Sequence, residues 1–378
     1  MSEPARRVVV TGSAGLLGWH CAAHLHARNC AASYRGEPPA FDLVRVDRDA
    51  FNDVGRLTAA VAGAAAVLHF AGVNRGSEAE VESGNVDIAT RLAQACAATG
   101  ARPHIVYANS THAAQDTHYG RSKRRAGEIL AAATDRFTNL VLPHIFGEGA
   151  RPFYNNVTAT FIHQVLRGES PSVNPEGRVQ LLHAGAAVEE AIGAFINGVT
   201  GERRPVPRPM GVGELLARLQ GFHAAYGANL FPELSDPFDL ALFNTYRAAL
   251  YPDGFPRSLQ THADARGVLF EAAKGGGGGQ TFLSWTEPGV TRGNHFHLDK
   301  LERFLVLDGE AIIRIRRVLG GPVWDYRVDG RRPAVVDIPT LHAHSIENVG
   351  TRPLLTLFWT QAVFDPATPD TYADPVLW

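Results

Sequence analysis

The run Val8-Val9-Val10-Thr11 passes straight into Gly12-Ser13-Ala14-Gly15-Leu16-Leu17-Gly18, and helical spacing of apolar residues follows over 16–28. A buried strand, a glycine turn and a helix in that order leave few folds open. Gly12 suits the tight turn, Gly15 lets a pyrophosphate approach the backbone, and Gly18 lets helix meet sheet. The amides of Leu16, Leu17 and Gly18 open the helix and offer donors with partial positive charge. Strand-like runs at 43–47, 67–71, 104–108 and 140–143 alternate with helical ones at 88–99, 123–133 and 158–167. That alternation predicts a doubly wound parallel sheet of the α/β class.

Three further features in this half point to hydride chemistry on a bound dinucleotide. In Tyr119-Gly120-Arg121-Ser122-Lys123 the tyrosine and lysine stand four apart and share a helix face. A nearby ammonium would favour the phenolate and pull the tyrosine toward working pH, and the lysine would also hold the nicotinamide ribose. Ser110, with Thr111 as the fallback one position on, ends the fourth strand and offers a hydroxyl to a substrate oxygen. In His69-Phe70-Ala71-Gly72 the small residues Ala71 and Gly72 leave room beside the adenosine half of the cofactor. Asp47 would hold ribose hydroxyls and favour NAD, whereas Arg48 would pair with a 2′-phosphate and favour NADP.

The texture then changes. A proline-rich connection at 203–209 and an amphipathic stretch at 213–226 precede Tyr251-Pro252-Asp253-Gly254-Phe255-Pro256, read as the linker between domains 1–252 and 257–378. Strands at 268–272, 280–285, 303–307, 311–316 and 354–359 follow, without helical spacing, and predict an all-β barrel or sandwich. The run 275–279 is read as a flexible hairpin tip. Within this half, His295 and His297 stand two apart, Glu302 follows after a turn, and His344 can arrive from a distant strand. Three imidazoles and a carboxylate suit zinc, manganese, iron or nickel.

The bulk numbers exclude other classes. Thirty-six basic and 38 acidic residues nearly cancel, which gives no hint of nucleic-acid or membrane partners. No apolar run approaches the ~20 residues of a membrane span. Three cysteines without CxxC spacing, and no expected signal peptide, place the chain in a reducing cytoplasm.

Residues 6–250 resemble the extended short-chain dehydrogenase/reductases, which share a Rossmann-type sheet, and residues 258–378 resemble a cupin. The first cupin motif fits from Gly289 to Gly309; the second fits at Pro339, His344 and Asn348, with Leu341 where glycine is usual. Tracts such as 68–75, 152–155, 157–161, 291–295, 346–348 and 369–372 are similar to one family in particular. This is the bifunctional capsular-polysaccharide enzymes, in which a nucleotide-sugar reductase is fused to a zinc cupin. The resemblance implies Ser110, Tyr119 and Lys123 as the reductase group, with NADPH as donor and NADH as the alternative. It also implies His295, His297, Glu302 and His344 as metal ligands. Its cupin epimerises a UDP-activated 4-keto-6-deoxyhexosamine at C3, and its reductase then reduces C4. A homodimer is expected, because cupins often pair through their sheets.

Departures from the family cluster on the substrate side. Val141 stands for arginine, His144 for asparagine, and 183–187 (His-Ala-Gly-Ala-Ala) for an Asn-Tyr-Val-Asp-Asp run. His342 replaces a tyrosine and Leu298 a histidine, so His342 and Lys300 become the candidate proton-transfer groups of the cupin. Two alternatives stay open at this level: a non-haem iron oxygenase, or a metal-tied structural module beside a lone reductase.

Overall fold

The computed structural model describes residues 4–275 and 277–378. Contacts divide the chain into two compact units, residues 4–157 with 178–210 and residues 158–177 with 211–378.

In the first unit the elements run β1 (Arg6–Thr11), α1 (Leu16–Tyr34), β2 (Phe41–Val46), α2 (Arg48–Asn52), α3 (Val54–Val61), β3 (Ala66–His69), α4 (Glu78–Thr99) and β4 (His104–Ser110). Then come α5 (His118–Ala132), β5 (Phe137–Leu142), β6 (His144–Phe146), β7 (Arg178–His183), α7 (Ala184–Ile196), β8 (Gly201–Arg203) and β9 (Arg208–Gly211), with α6 (Val157–Leu166) inserted before β7. The main sheet is parallel in the order β2-β1-β3-β4-β5-β8. Strand alternation sends Val8 and Val10 to a core shared with Ala187 and Val188 of α7, and Val9 to a second core shared with Leu57 of α3 and Leu92 of α4. The order reverses between β1 and β3, the place where open sheets of this kind hold ligands at their carboxyl ends. A small sheet, β6-β7-β9, lies beside the main one in the same unit.

The expected parallel sheet is therefore present. Helices α2, α3, α7 and α9 (Pro237–Ala248) have no counterpart in the sequence reading, and α5 starts early enough to include Tyr119.

The second unit holds α6, α8 (Val212–Gly227), α9 and β10 (Leu230–Phe231), followed by β-structure. Its strands are β11 (Arg257–Ser258), β12 (Thr261–Asp264), β13 (Gly267–Phe270), β14 (Lys274–Gly275), β15 (Gln280–Thr286), β16 (Thr291–Phe296), β17 (Glu302–Asp308), β18 (Glu310–Arg317), β19 (Val323–Asp329), β20 (Ala334–Ile338), β21 (His342–Asn348), β22 (Leu354–Thr360) and β23 (Tyr372–Ala373). Two five-stranded antiparallel sheets form, β11-β20-β17-β22-β15 and β19-β18-β21-β16-β23. Phe304 of the first sheet meets His344 of the second edge-on at 5.6 Å.

Helices α8 and α9 join this unit for a physical reason. Arg303 of β17 and Asp337 of β20 are both fully buried, bridged at 2.6 and 2.8 Å. Tyr226 of α8 donates its hydroxyl to Asp337, and Arg247 of α9 donates to the Ile338 carbonyl at 3.2 Å. The contact division thus falls near residue 211, whereas the sequence reading put the boundary in the linker at 252–257. The glycine run is also more than a hairpin tip. Gly275 pairs with Phe231 in the two-residue parallel bridge β10–β14, and a Cβ on Gly279 would meet the Thr360 carbonyl at 2.3 Å. Gly276 lies outside the described residues.

Removing one member of a buried ion pair leaves the other uncompensated. Arg303→Met is expected to lower the unfolding free energy by about 3–5 kcal/mol, read as a fall in the denaturation midpoint.

Candidate functional site

The glycine turn has the shape its sequence requires. Gly12 adopts φ +66°, and a Cβ there would meet the Ala71 amide nitrogen at 2.8 Å. A Cβ on Gly18 would collide with the Gly12 carbonyl oxygen at 2.1 Å, so α1 can cross the turn closely only with glycine at that place. Gly15 is the N-cap of α1, exposed and without a side-chain cap, which leaves the helix amides accessible to an anion. Thr11 Oγ1 lies 2.7 Å from His69 Nδ1 and 3.4 Å from the Ala71 amide, so β1 is tied to the loop after β3. A pyrophosphate fits this exposed glycine backbone. Asp47 is engaged as the N-cap of α2, accepting from the Ala50 amide at 2.9 Å, and Arg48 beside it is exposed.

Ser110 closes β4, and its hydroxyl hydrogen-bonds the Tyr119 phenol. Thr111 is exposed in the following 3-10 turn and faces solvent instead. The expected effect of lysine on tyrosine is not what the structure contains. Burial raises the Tyr119 pKa, with the Ser110 hydroxyl opposing, while Lys123 is turned to β4. Its Nζ donates to the Ala108 carbonyl at 2.6 Å and lies 4.2 Å from the centre of the Tyr107 ring. Burial drops its pKa to about 7, since the ammonium has lost water. His69 packs nearby, stacked on Tyr107 at 5.8 Å, and burial with the Lys123 charge lowers its own pKa to about 3.

In the second unit His295, His297, Glu302 and His344 each bring a ligand atom within 4.8 Å of the others. Four segments assemble them: the end of β16, the residue after it, the start of β17, and β21. Strand pairing sets His295 opposite His344 across a bulge at Gly293, where a Cβ would meet the His344 carbonyl oxygen at 2.8 Å. The Nε2 atoms of His297 and His344 both stand 3.2 Å from Glu302 Oε2. His297 Nδ1 is engaged with the Asp370 carbonyl at 2.5 Å and His344 Nδ1 with that of His342 at 3.3 Å, so both rings turn Nε2 inward. His344 is fully buried, with Nε2 turned to the Glu302 carboxylate. Burial works against the Glu302 charge, yet hydrogen bonds from His297 and His344 hold its pKa well below the usual range. Burial, with the other two rings, lowers His295 to about 3. Three imidazole nitrogens and a carboxylate are the donor set a divalent cation takes, and the cluster fits one.

The two candidate proton carriers stand differently. His342 precedes His344 by two on β21 and so shares its face; it is buried, stacked on Trp324 at 5.6 Å, with Nδ1 2.8 Å from the Thr340 carbonyl. Lys300 Nζ donates to the Pro369 carbonyl at 2.8 Å and to Thr371 Oγ1 at 3.0 Å, so it ties the C-terminal segment to the ligand loop. Leu341 adopts φ +60°, the strained turn that glycine would make freely. One residue with a large part in the site was missed. The Asp370 carboxylate accepts from the amides of Leu298, Asp299 and Lys300 at 2.8, 3.0 and 2.7 Å and so fixes the loop between His297 and Glu302. Its partners lie about seventy residues away in sequence, and nothing local announces them.

Both halves of the chain match known families. Residues 8–192 match the NAD dependent epimerase/dehydratase family, and residues 262–372 match the polysaccharide biosynthesis C-terminal domain. The chain is 31% identical over 377 residues to the UDP-2-acetamido-2,6-beta-L-arabino-hexul-4-ose reductase of Pseudomonas aeruginosa, covering 97% of this chain and 98% of that protein. The crystal structure of the capsular polysaccharide assembling protein CapF from Staphylococcus aureus is similar over 98% of this chain and 100% of its own, at 29% identity and TM-score 0.57. CapF with the inhibitor 3-isopropenyl-tropolone aligns over the same shares at 29% identity and TM-score 0.51. The chain belongs to the CapF-type family of nucleotide-sugar reductase/epimerases, an NAD(P)-dependent unit joined to a polysaccharide-biosynthesis β unit.

Proposed function

We propose that the chain is bifunctional, and that its β unit is a metal cupin. On this reading it epimerises C3 of a UDP-activated 4-keto-6-deoxyhexosamine and reduces C4 of the product with NADPH, NADH being the alternative donor. One observation carries the reading: a single chain holds both a buried three-imidazole, one-carboxylate cluster and a Ser-Tyr-Lys group beside a dinucleotide turn. The name of the Pseudomonas aeruginosa relative supports the sugar class. Engagement of Asp47 as a helix cap, with Arg48 exposed beside it, supports the phosphorylated dinucleotide.

A divalent ion held by His295, His297, Glu302 and His344 would supply Lewis acidity at the C4 ketone oxygen and so acidify the C3 proton. His342 removes that proton; return of a proton to the other face, from solvent or Lys300, inverts the centre. In the reductase, a bound dinucleotide would supply hydride to C4, and Tyr119 gives its phenolic proton to the C4 oxygen. Ser110 holds that phenol in place, and Lys123, poised near neutrality, meets the nicotinamide ribose.

Incubation with a UDP-4-keto-6-deoxyhexosamine in deuterated water gives the direct test. Deuterium is expected at C3 without NADPH, and dinucleotide oxidation follows its addition; a substrate that gains no deuterium and consumes no cofactor overturns the proposal. Tyr119→Phe is expected to keep the exchange and lose about 10²–10⁴-fold in kcat for reduction. Glu302→Gln is expected to lose the exchange and keep reduction of ketone already epimerised. Lys123 yields a pH test on the cofactor-free chain. Its folded pKa near 7 lies below the unfolded value, so the cost of burying its charge is complete below pH 7 and fades as pH rises toward 10. Lys123→Met is expected to melt higher than the parent at pH 6, with the advantage shrinking by pH 9; a constant difference would contradict the assignment.

A further inference from the structure

A second cluster of metal-binding side chains lies wholly within the first unit and shares no residue with the dinucleotide turn or the Ser-Tyr-Lys group. His20 comes from α1, Glu148 from the loop after β6, and His183 from the end of β7, where it caps α7. Their ligand atoms lie within 4.8 Å of one another. The burial is nearly total: His20 is 0% exposed and the Glu148 side chain 1%, with His183 at 13%. Glu148 Oε2 stands 2.9 Å from His183 Nε2 and 3.8 Å from His20 Nε2, and His20 Nε2 lies 2.9 Å from the Glu148 carbonyl. His20 Nδ1 is buried with no hydrogen-bond partner.

His20 donates from Nε2 to the Glu148 carbonyl, which leaves the lone pair of its buried Nδ1 unused. Two imidazoles and a carboxylate drawn from three separate elements are a tridentate set for a divalent transition metal. The surrounding residues make room for the rings. A Cβ on Gly147 would meet Ala184 Cβ at 2.9 Å and the His20 and His183 rings at 3.3 and 3.4 Å; one on Gly185 would meet His183 Nδ1 at 3.0 Å.

We propose that His20, Glu148 and His183 form a second divalent-metal site, of the zinc or cobalt class, that pins the start of α1 to the loop after β6 and to the β7–α7 junction. Zinc content of the full-length chain, loaded with zinc and dialysed, tests this without relying on the β unit. Glu148→Gln and His183→Asn are each expected to hold one zinc fewer per chain than the parent. His344→Ala, which disables the other cluster, is expected to retain one zinc that Glu148→Gln in the same background removes. If the β-unit site binds nothing, the parent falls to one zinc and Glu148→Gln to none, so the two ideas fail separately. Should Glu148→Gln not fold, the melting temperature of the His344→Ala chain is expected to rise with added zinc, and His183→Asn to abolish that rise. Unchanged zinc content in folded Glu148→Gln or His183→Asn, or a His344→Ala chain that holds no zinc and does not respond to it, overturns the proposal.

Discussion

The arrangement of the β unit depends on one constraint: a carboxylate, Glu302, is buried against three imidazoles, two of which, His295 and His344, burial pushes toward the neutral form. Backbone features around it serve that convergence. The bulge at Gly293 sets His295 against His344, Asp370 fixes the ligand loop through three amides, and Leu341 accepts a strained turn that leads into β21. A donor set held this firmly before any ion arrives is preorganised, which favours binding over rearrangement.

The first unit solves a different problem by subtraction of side chains. Gly12 and Gly18 let strand, turn and helix approach to distances that a methyl group forbids, and Gly15 leaves the helix N-terminus open. Burial alone lowers the Lys123 pKa there to about 7. Taken together, the two units give one chain a buried imidazole–carboxylate cluster and a Ser-Tyr-Lys group, and the proposed epimerisation and reduction rest on that pairing.

Much of this was legible in the sequence where chemistry leaves no choice of residue. The glycine spacing permits little besides a strand-turn-helix, and the ligand histidines and Glu302 must be the residues they are. What escaped depends on partners distant in sequence. Helices α8 and α9 join the β unit through Tyr226, Arg247, Arg303 and Asp337, none of which marks itself locally. Asp370 holds a loop seventy residues earlier. Lys123 was expected to act on Tyr119 from its helical spacing, but the longer reach of its side chain ends at the Ala108 carbonyl on β4. The 275–279 glycine run was read from composition alone, and the bridge of Gly275 to Phe231 depends on a strand whose two residues carry no pattern.

The central claim is that the four converging groups of the β unit grip a divalent cation. Anomalous diffraction at the zinc edge, from crystals of the full-length chain grown with zinc, tests it most directly. The account predicts a strong peak within coordination distance of His295, His297, Glu302 and His344. Zinc found elsewhere in the crystal, with no anomalous density among those four side chains, would contradict it.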